Sequence, residues 1–294
     1  MRKYKSWKNR IFDISVILLL FLLGAFCMLP LLHVIALSFS NKVAVMEGRV
    51  LIWPVDVTST PYRAILEDSR FIQSFWVSVK RVVLGVGINM ILTILAAFSL
   101  SQTEREFPAR KYYMWVMVFA MLFGAPLIPW YFVIKETGLI DTIWAMILPG
   151  ALPVYNTILL MNFFRELPKE IKESALMDGV NPLQMLIKII IPLSKPAIAT
   201  IAVFAVVWHW NSFFDGMLLI NTPEKAPLQT YIYNLINSSP IVNTSMTAEQ
   251  QEALSSMRTY NAAKVVVAAL PVAVFYPFMQ RFFVSGLTLG SVKG

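Results

Sequence analysis

Between Ile14 and Ser40 the chain has no Lys, Arg, Asp or Glu over 27 residues. Coiled as a helix, such a run is ~40 Å long, more than the ~30 Å of hydrocarbon in a bilayer. Backbone inside lipid must satisfy its own hydrogen bonds, so a run of this kind is expected to be a membrane-spanning helix. Composition extends this to the rest of the chain. It is 57% hydrophobic, only 14% charged, and has a mean hydropathy of +0.64, where soluble domains hold about a quarter charged residues. A secretory signal would need a shorter apolar core and a small-residue cleavage site. No good site follows, so the run is expected to be retained.

The same reading gives six spans: 14–40, 82–100, 113–134, 142–163, 197–220 and 262–283, in one transmembrane domain over 1–294. The fold class expected is an all-α integral membrane protein. Cys27, the single cysteine, is expected as a small buried apolar residue, with no disulfide framework possible. His33 in the first span is expected to be packed or backbone-bonded rather than a ligand. The net charge of +8 does not indicate nucleic acid, because the basic residues flank apolar spans instead of gathering on one soluble face.

Charge counting orients the chain. With the N-terminus in the cytoplasm, the inner segments hold 15 of 25 basic residues and 7 of 17 acids. Nearly all the net charge then lies inside, as the positive-inside rule requires. Lys80 and Arg81 fall at the outer end of the second span and are expected to snorkel. Two long outer segments, 41–74 and 221–257, are either docking loops or solvated connectors. Gly124, Pro126 and Pro129 interrupt the third span, and Pro271 and Pro277 the sixth. Broken helices are common where transporters hold cargo, and also in ordinary membrane helices.

The polar stretch "KESALMDGVNPLQMLIK" interrupts this apolar chain on the inner side. Pro168 suits a helix start, and Asp178-Gly179 a stop, with glycine supplying the left-handed cap. Asn181-Pro182 then starts a second helix. The segment 164–196 is thus a short helix, a tight turn and another helix. Ile171, Ser174 and Ala175 share a face that admits another surface closely, and Glu173 and Asp178 offer acceptors to basic groups. Such a knob either passes force to a soluble partner or lies on the membrane surface with none.

"ESALMDGVNPLQMLIKIIIPLSKPAI" resembles the Glu-Ala-Ala loop of ABC-importer permeases. Glu173, Ala175, Asp178, Gly179 and Pro192 match, and Ser174 and Val180 replace alanines. "WHWNSFFDGMLLI" and the ending "GLTLGSVKG" are similar to carbohydrate-importing, maltose-type permeases, in particular those Gram-positive members that import oligosaccharides. The resemblance covers nearly the whole chain. It implies the type I importer permease fold, with six transmembrane helices and a cytoplasmic coupling helix seated in an ATPase groove. Glu173, Ser174, Ala175, Asp178 and Gly179 would form that joint, and the tail 290–294 would reach toward the ATPase pair. It also implies a second homologous permease, a dimer of ATPases, an extracellular sugar-binding lipoprotein, and placement in the bacterial cytoplasmic membrane with both termini inside.

No G-x-x-x-x-G-K-[ST] occurs, so no ATP site and no cofactor are expected in this chain; ATP and Mg would sit on the partner ATPase. The Gly85–Gly87 pair is read as close helix packing. Trp208, His209, Trp210, Asn211 and Asp215 cluster in the fifth span. They are either a sugar path, with rings that stack and polar groups that bond hydroxyls, or an interfacial aromatic belt with a snorkelling Asp215. Two rivals remain in view. A membrane-embedded enzyme would need a motif such as H-E-x-x-H or G-x-S-x-G, and neither occurs. An ion-coupled secondary transporter would carry several ionisable groups deep in its spans, where only Asp215 and Lys264 come close.

Overall fold

The computed structural model describes residues 7–238 and 248–289, and all its regular elements are helical. The tail 290–294 expected at the ATPase lies outside the described residues. In chain order the helices are α1 (Trp7–Ser38), α2 (Lys42–Met46), α3 (Thr60–Glu67), α4 (Ser69–Ser101) and α5 (Arg110–Leu122). Next come α6 (Leu127–Glu136), α7 (Ile143–Ile147), α8 (Val154–Glu166), α9 (Lys169–Met177) and α10 (Pro182–Met185). Then follow α11 (Ile191–Leu193), α12 (Lys195–Asn211), α13 (Phe214–Leu219), α14 (Leu228–Asn237) and α15 (Ala248–Leu289).

Three helices are long and apolar enough to cross a membrane by themselves: Ile11–Ser38, Ser69–Ser101 and Ala253–Pro277. Three bent pairs pass the same test together, each a broken span or a re-entrant loop, which allows up to six spans. α5 and α6 meet at 119°, the α7 segment and α8 at 45°, and Pro182–Leu193 and α12 at 85°. Each break has a local cause. Pro126 precedes α6, Pro153 precedes α8, and Pro196 follows the α11–α12 junction. Proline supplies no N–H and disfavours helix in the residue before it. The second span is longer than expected, beginning at Ser69 rather than 82, because Arg81 does not end it.

The chain divides into two compact units. One comprises 1–69 with 235–269. Here α1 is exposed over most of its apolar length, and only its last turns, with Ala36 and Ser38, are buried. Cys27, expected to be buried, is therefore exposed: α1 leaves its faces to lipid or to other chains. His33 Nδ1 donates to the Leu51 carbonyl at 2.6 Å, the backbone-bonded role expected of it. Lys264, almost fully buried, pairs with Asp68 at 2.7 Å and lies 4.1 Å over the Tyr260 ring.

The other unit comprises 70–234 with 270–294. Its inward stripe on α4 reads Phe71, Ser74, Ser78, Arg81, Gly85, Asn89, Thr93, Ala97, Leu100. The spacing is three or four, and most members are small or polar. Lipid already accepts apolar side chains, so inward faces of membrane helices favour small groups and hydrogen bonds. Its apolar core gathers Ala97, Leu160, Phe164, Ala175, Leu186 and Ile190.

Candidate functional site

Two sites in the second unit carry the residues singled out from sequence. The first is the knob. α9 ends in a complete Schellman motif: Gly179 N–H donates to the Leu176 carbonyl at 3.0 Å, and Val180 N–H to the Ala175 carbonyl at 3.1 Å. Gly179 has φ of +74°, the conformation glycine adopts without a Cβ penalty. Asn181 and Gln184 form a reciprocal capping box that starts α10. A π-turn over Leu186–Ile190 follows, next to Pro192. Two rigid turns thus fix a helix pair with little freedom.

The knob corrects one expectation. Ala175, expected on an open face, is buried in the chain's own core beside Val180 and fastens the knob to the helices. Ser174 is exposed, with its hydroxyl turned back to the Glu170 carbonyl at 2.8 Å. The outward face is instead Glu173, Asp178, Leu176, Met177 and Leu183, with Met177 89% exposed. Burial pushes the Lys172 ammonium down from its usual value, and Glu106 opposes the shift.

The second site surrounds Arg81, which is fully buried. Its guanidinium forks onto the Asp215 carboxylate, with Nη1 3.1 Å from Oδ1 and Nη2 bonded to Oδ2. Nη1 also donates to the Ser212 carbonyl at 3.2 Å. Asp215 accepts further from Ser212 Oγ at 2.8 Å and Gly216 N–H at 2.9 Å. A carboxylate this largely withdrawn from solvent needs such donors, since desolvation must be offset by close pairing. Neither Arg81 nor Asp215 snorkels: each answers the other across the gap between α4 and the α12–α13 break.

Beside them, Asn89 donates to the carbonyls of Gly150 and Ala151 at 2.9 and 2.8 Å. These carbonyls sit where the fourth span breaks, and in lipid they require a donor. With both Asn89 hydrogens used, its oxygen accepts from His209 Nε2 at 2.8 Å, so Nε2 carries the imidazole hydrogen. Gly85 admits the ring; a Cβ there would stand 2.4 Å from it. The packing role expected for Gly85 is thus observed, while Gly87 faces open space.

A cavity of about 400 Å³ opens against this layer. Trp130, Met146, Trp208, Ser212, Phe214 and Asp215 line it. Gly150 lets Trp208 lie close, with its ring edge 2.8 Å from where a Cβ would be. Of the five residues expected on a sugar path, Trp208 and Asp215 face the cavity. His209 is buried scaffold behind it. Trp210 packs edge-on against Phe75 at 5.8 Å and lines a separate apolar cleft. Asn211 is exposed at the end of α12 and is not part of the lining. Sequence reading missed Arg81, Asn89 and Trp130. The first two were legible as polar members of the α4 stripe; Trp130 had no signal beyond its proline-broken setting. Among the described residues no cluster suited to a metal ion occurs.

A second carboxylate joins the turn after α6 to the segment after α13. Asp141, at φ of +63°, accepts from the N–H groups of Asn221 and Thr222 and from Lys225 Nζ at 2.6 Å. The Lys225 ammonium first, then Thr222, holds its carboxyl well below the usual carboxylate range.

Comparison with known proteins agrees along the whole chain. Over 291 residues it is 38% identical to the polygalacturonan/rhamnogalacturonan transport system permease protein YtcP of Bacillus subtilis (strain 168), covering 98% of this chain and 100% of that one. It is 37% identical to protein LplC of the same organism over 286 residues, 97% of this chain and 96% of that one. Its structure matches a chain of a bacterial ABC transporter involved in the import of the acidic polysaccharide alginate, with a TM-score of 0.85 and 32% identity over 96% of this chain and 99% of that one. The family model for binding-protein-dependent transport system inner membrane components matches residues 89–288. The chain belongs to that family: it is an inner-membrane permease subunit of an ABC importer, a transport component and not an enzyme.

Proposed function

We propose that this permease carries an oligosaccharide, forming half of the path with a second homologous permease. A dimer of separate ATPases binds ATP and Mg and drives it. An extracellular sugar-binding lipoprotein delivers the cargo, and both termini lie in the cytoplasm. The observation that carries this reading is the knob. It is stiffened at both turns, anchored inward by Ala175, and presents Leu176, Met177 and Leu183 beside Glu173 and Asp178. Exposed apolar groups rimmed by acids suit a groove with basic edges on a soluble partner. A rigid attachment transmits displacement, whereas a loose loop would absorb it.

The cargo reading is supported by the cavity and by the relatives. Trp208, Trp130 and Phe214 offer faces to the C–H surfaces of pyranose rings, and Ser212 and Asp215 offer bonds to hydroxyls. Two of the similar proteins are described by the transport of polygalacturonan or rhamnogalacturonan and of alginate. The test is uptake by the assembled transporter in vesicles with labelled mono- and oligosaccharides, neutral and acidic. ATP-dependent uptake of an oligosaccharide, lost in Trp208→Ala at unchanged assembly, is the expected result. Uptake of none of them, or purification from native membranes without an ATPase, would overturn the proposal.

A further inference from the structure

We infer that residues 49–55 fold back beside α1 and seat Leu51, Ile52 and Trp53 in the bilayer leaflet at the C-terminal end of that helix. The inference rests on α1 crossing the membrane, and not on the cargo or on which side is outside.

The candidate span Ile11–Ser38 has 28 residues. At ~1.5 Å per residue it is about 42 Å long, so a centred helix overhangs ~30 Å of hydrocarbon by roughly 6 Å at each end. A chain leaving α1 for water would simply continue outward. This one reverses. Gly48, at φ of +69°, ends α2 with the paired bonds of a Schellman motif, Gly48 N–H to Val45 and Arg49 N–H to Ala44. The chain then returns along α1 until the Leu51 carbonyl meets His33 Nδ1 at 2.6 Å. His33 lies five residues before Ser38, or ~7.5 Å back down the helix, so the Leu51 backbone stands at the hydrocarbon boundary.

The chain then climbs again. Val55 N–H donates to Ser40 Oγ at 3.0 Å, and Thr58 N–H to the Phe39 carbonyl at 2.8 Å, back at the helix end. The lowest point of the loop is therefore 51–53. Val50 turns inward onto Ala36, Ala44 and Val45 and fixes the loop's orientation. Leu51 and Trp53 turn outward, 72% and 80% exposed, on the same unit as the exposed apolar surface of α1. Tryptophan suits this depth, with an apolar ring and one polar N–H. The charged groups of the loop pair with one another above the tip, Arg49 with Glu47 and Asp56, so none has to enter the apolar layer. Lipid is the occupant this depth selects.

The test uses the complete importer in phospholipid vesicles. In a Cys27→Ala background, Leu51→Cys, Trp53→Cys and the exposed reference Glu224→Cys are each labelled with an environment-sensitive fluorophore, and only preparations that retain uptake are read. Quenching by nitroxide placed near the phospholipid headgroup is compared with quenching by aqueous iodide. At 51 and 53, emission should be blue-shifted and lipid nitroxide should quench several-fold better than iodide, with the reverse order at 224. Iodide quenching equal to that at 224 would put the loop in water. Protection from both quenchers would mean that another protein covers it. Either result overturns the inference.

Discussion

The knob and the layer around Arg81 lie in the same unit but are held by bonds of different reach. In the knob, the bonds that set the shape join residues three to five positions apart: Gly179 to Leu176, Val180 to Ala175, Asn181 to Gln184. Around Arg81, partners are 61 to 134 positions apart: Asn89 to Gly150, Arg81 to Asp215. The turns of the knob are local devices, set by neighbours along the chain. The layer exists only when α4, the fourth span and the α12–α13 break are already packed. One is exposed and available to a partner; the other is buried and ties spans together beneath a cavity. The proposed coupling would need both: a stiff handle, and spans that keep their packing while the handle is pulled.

The largest effect should come from breaking the buried pair. Asp215→Ala leaves the buried Arg81 charge without its carboxylate and should cost ~3–5 kcal/mol, seen as a large drop in folded, monodisperse protein in detergent. Arg81→Met with Asp215→Leu should recover much of it. A double variant no better than either single one would contradict the pairing.

Gly85→Ala should rank next. Its Cβ meets the His209 ring at 2.4 Å, and overpacking of this kind costs about 1–3 kcal/mol. Thermal unfolding in detergent measures it, and adding His209→Ala should restore part of the loss. Equal stability of Gly85→Ala and wild type would mean that the ring does not occupy this position.

Knob variants sharpen the contrast from the other side. Gly179→Ala is strained at φ of +74° and should cost only ~1 kcal/mol, while uptake per ATP hydrolysed falls more steeply. Glu173→Lys, at an exposed position, should leave stability within ~0.5 kcal/mol and still uncouple. Normal coupling in both would remove the knob from the mechanism.

The smallest effect concerns Asp141. Its carboxyl pKa is lowered on folding, so its contribution is fully present above the ordinary carboxylate pKa and fades as pH falls toward the depressed value. Asp141→Asn keeps the amide-tolerated positive φ and removes the charge. The stability gap between wild type and this variant should stay constant from neutral pH down to about pH 4 and close below it. A gap that widened in acid would show the opposite sign of linkage.

The sequence by itself determined which segments are apolar helices and what the knob looks like. Charge-free runs leave the backbone no choice but helix, and Gly179, Asn181 and Pro182 act on neighbours along the chain, so no distant contact is needed to read them. It did not determine what Arg81 and Asp215 do. Either, alone in an apolar run, reads as a snorkelling charge, and the polar stripe of α4 is visible only once one asks what lipid-facing helices hide. Nor did it show that Trp208 faces the cavity while Trp210 faces away, or that Ala175 turns inward. Those outcomes depend on the angle at which broken spans meet, which is set by packing between residues far apart in the chain, such as Asn89 and Gly150 or Arg81 and Asp215. Hydrophobicity selects the solvent and local chemistry selects the turns, but only tertiary packing decides which buried charge finds which partner.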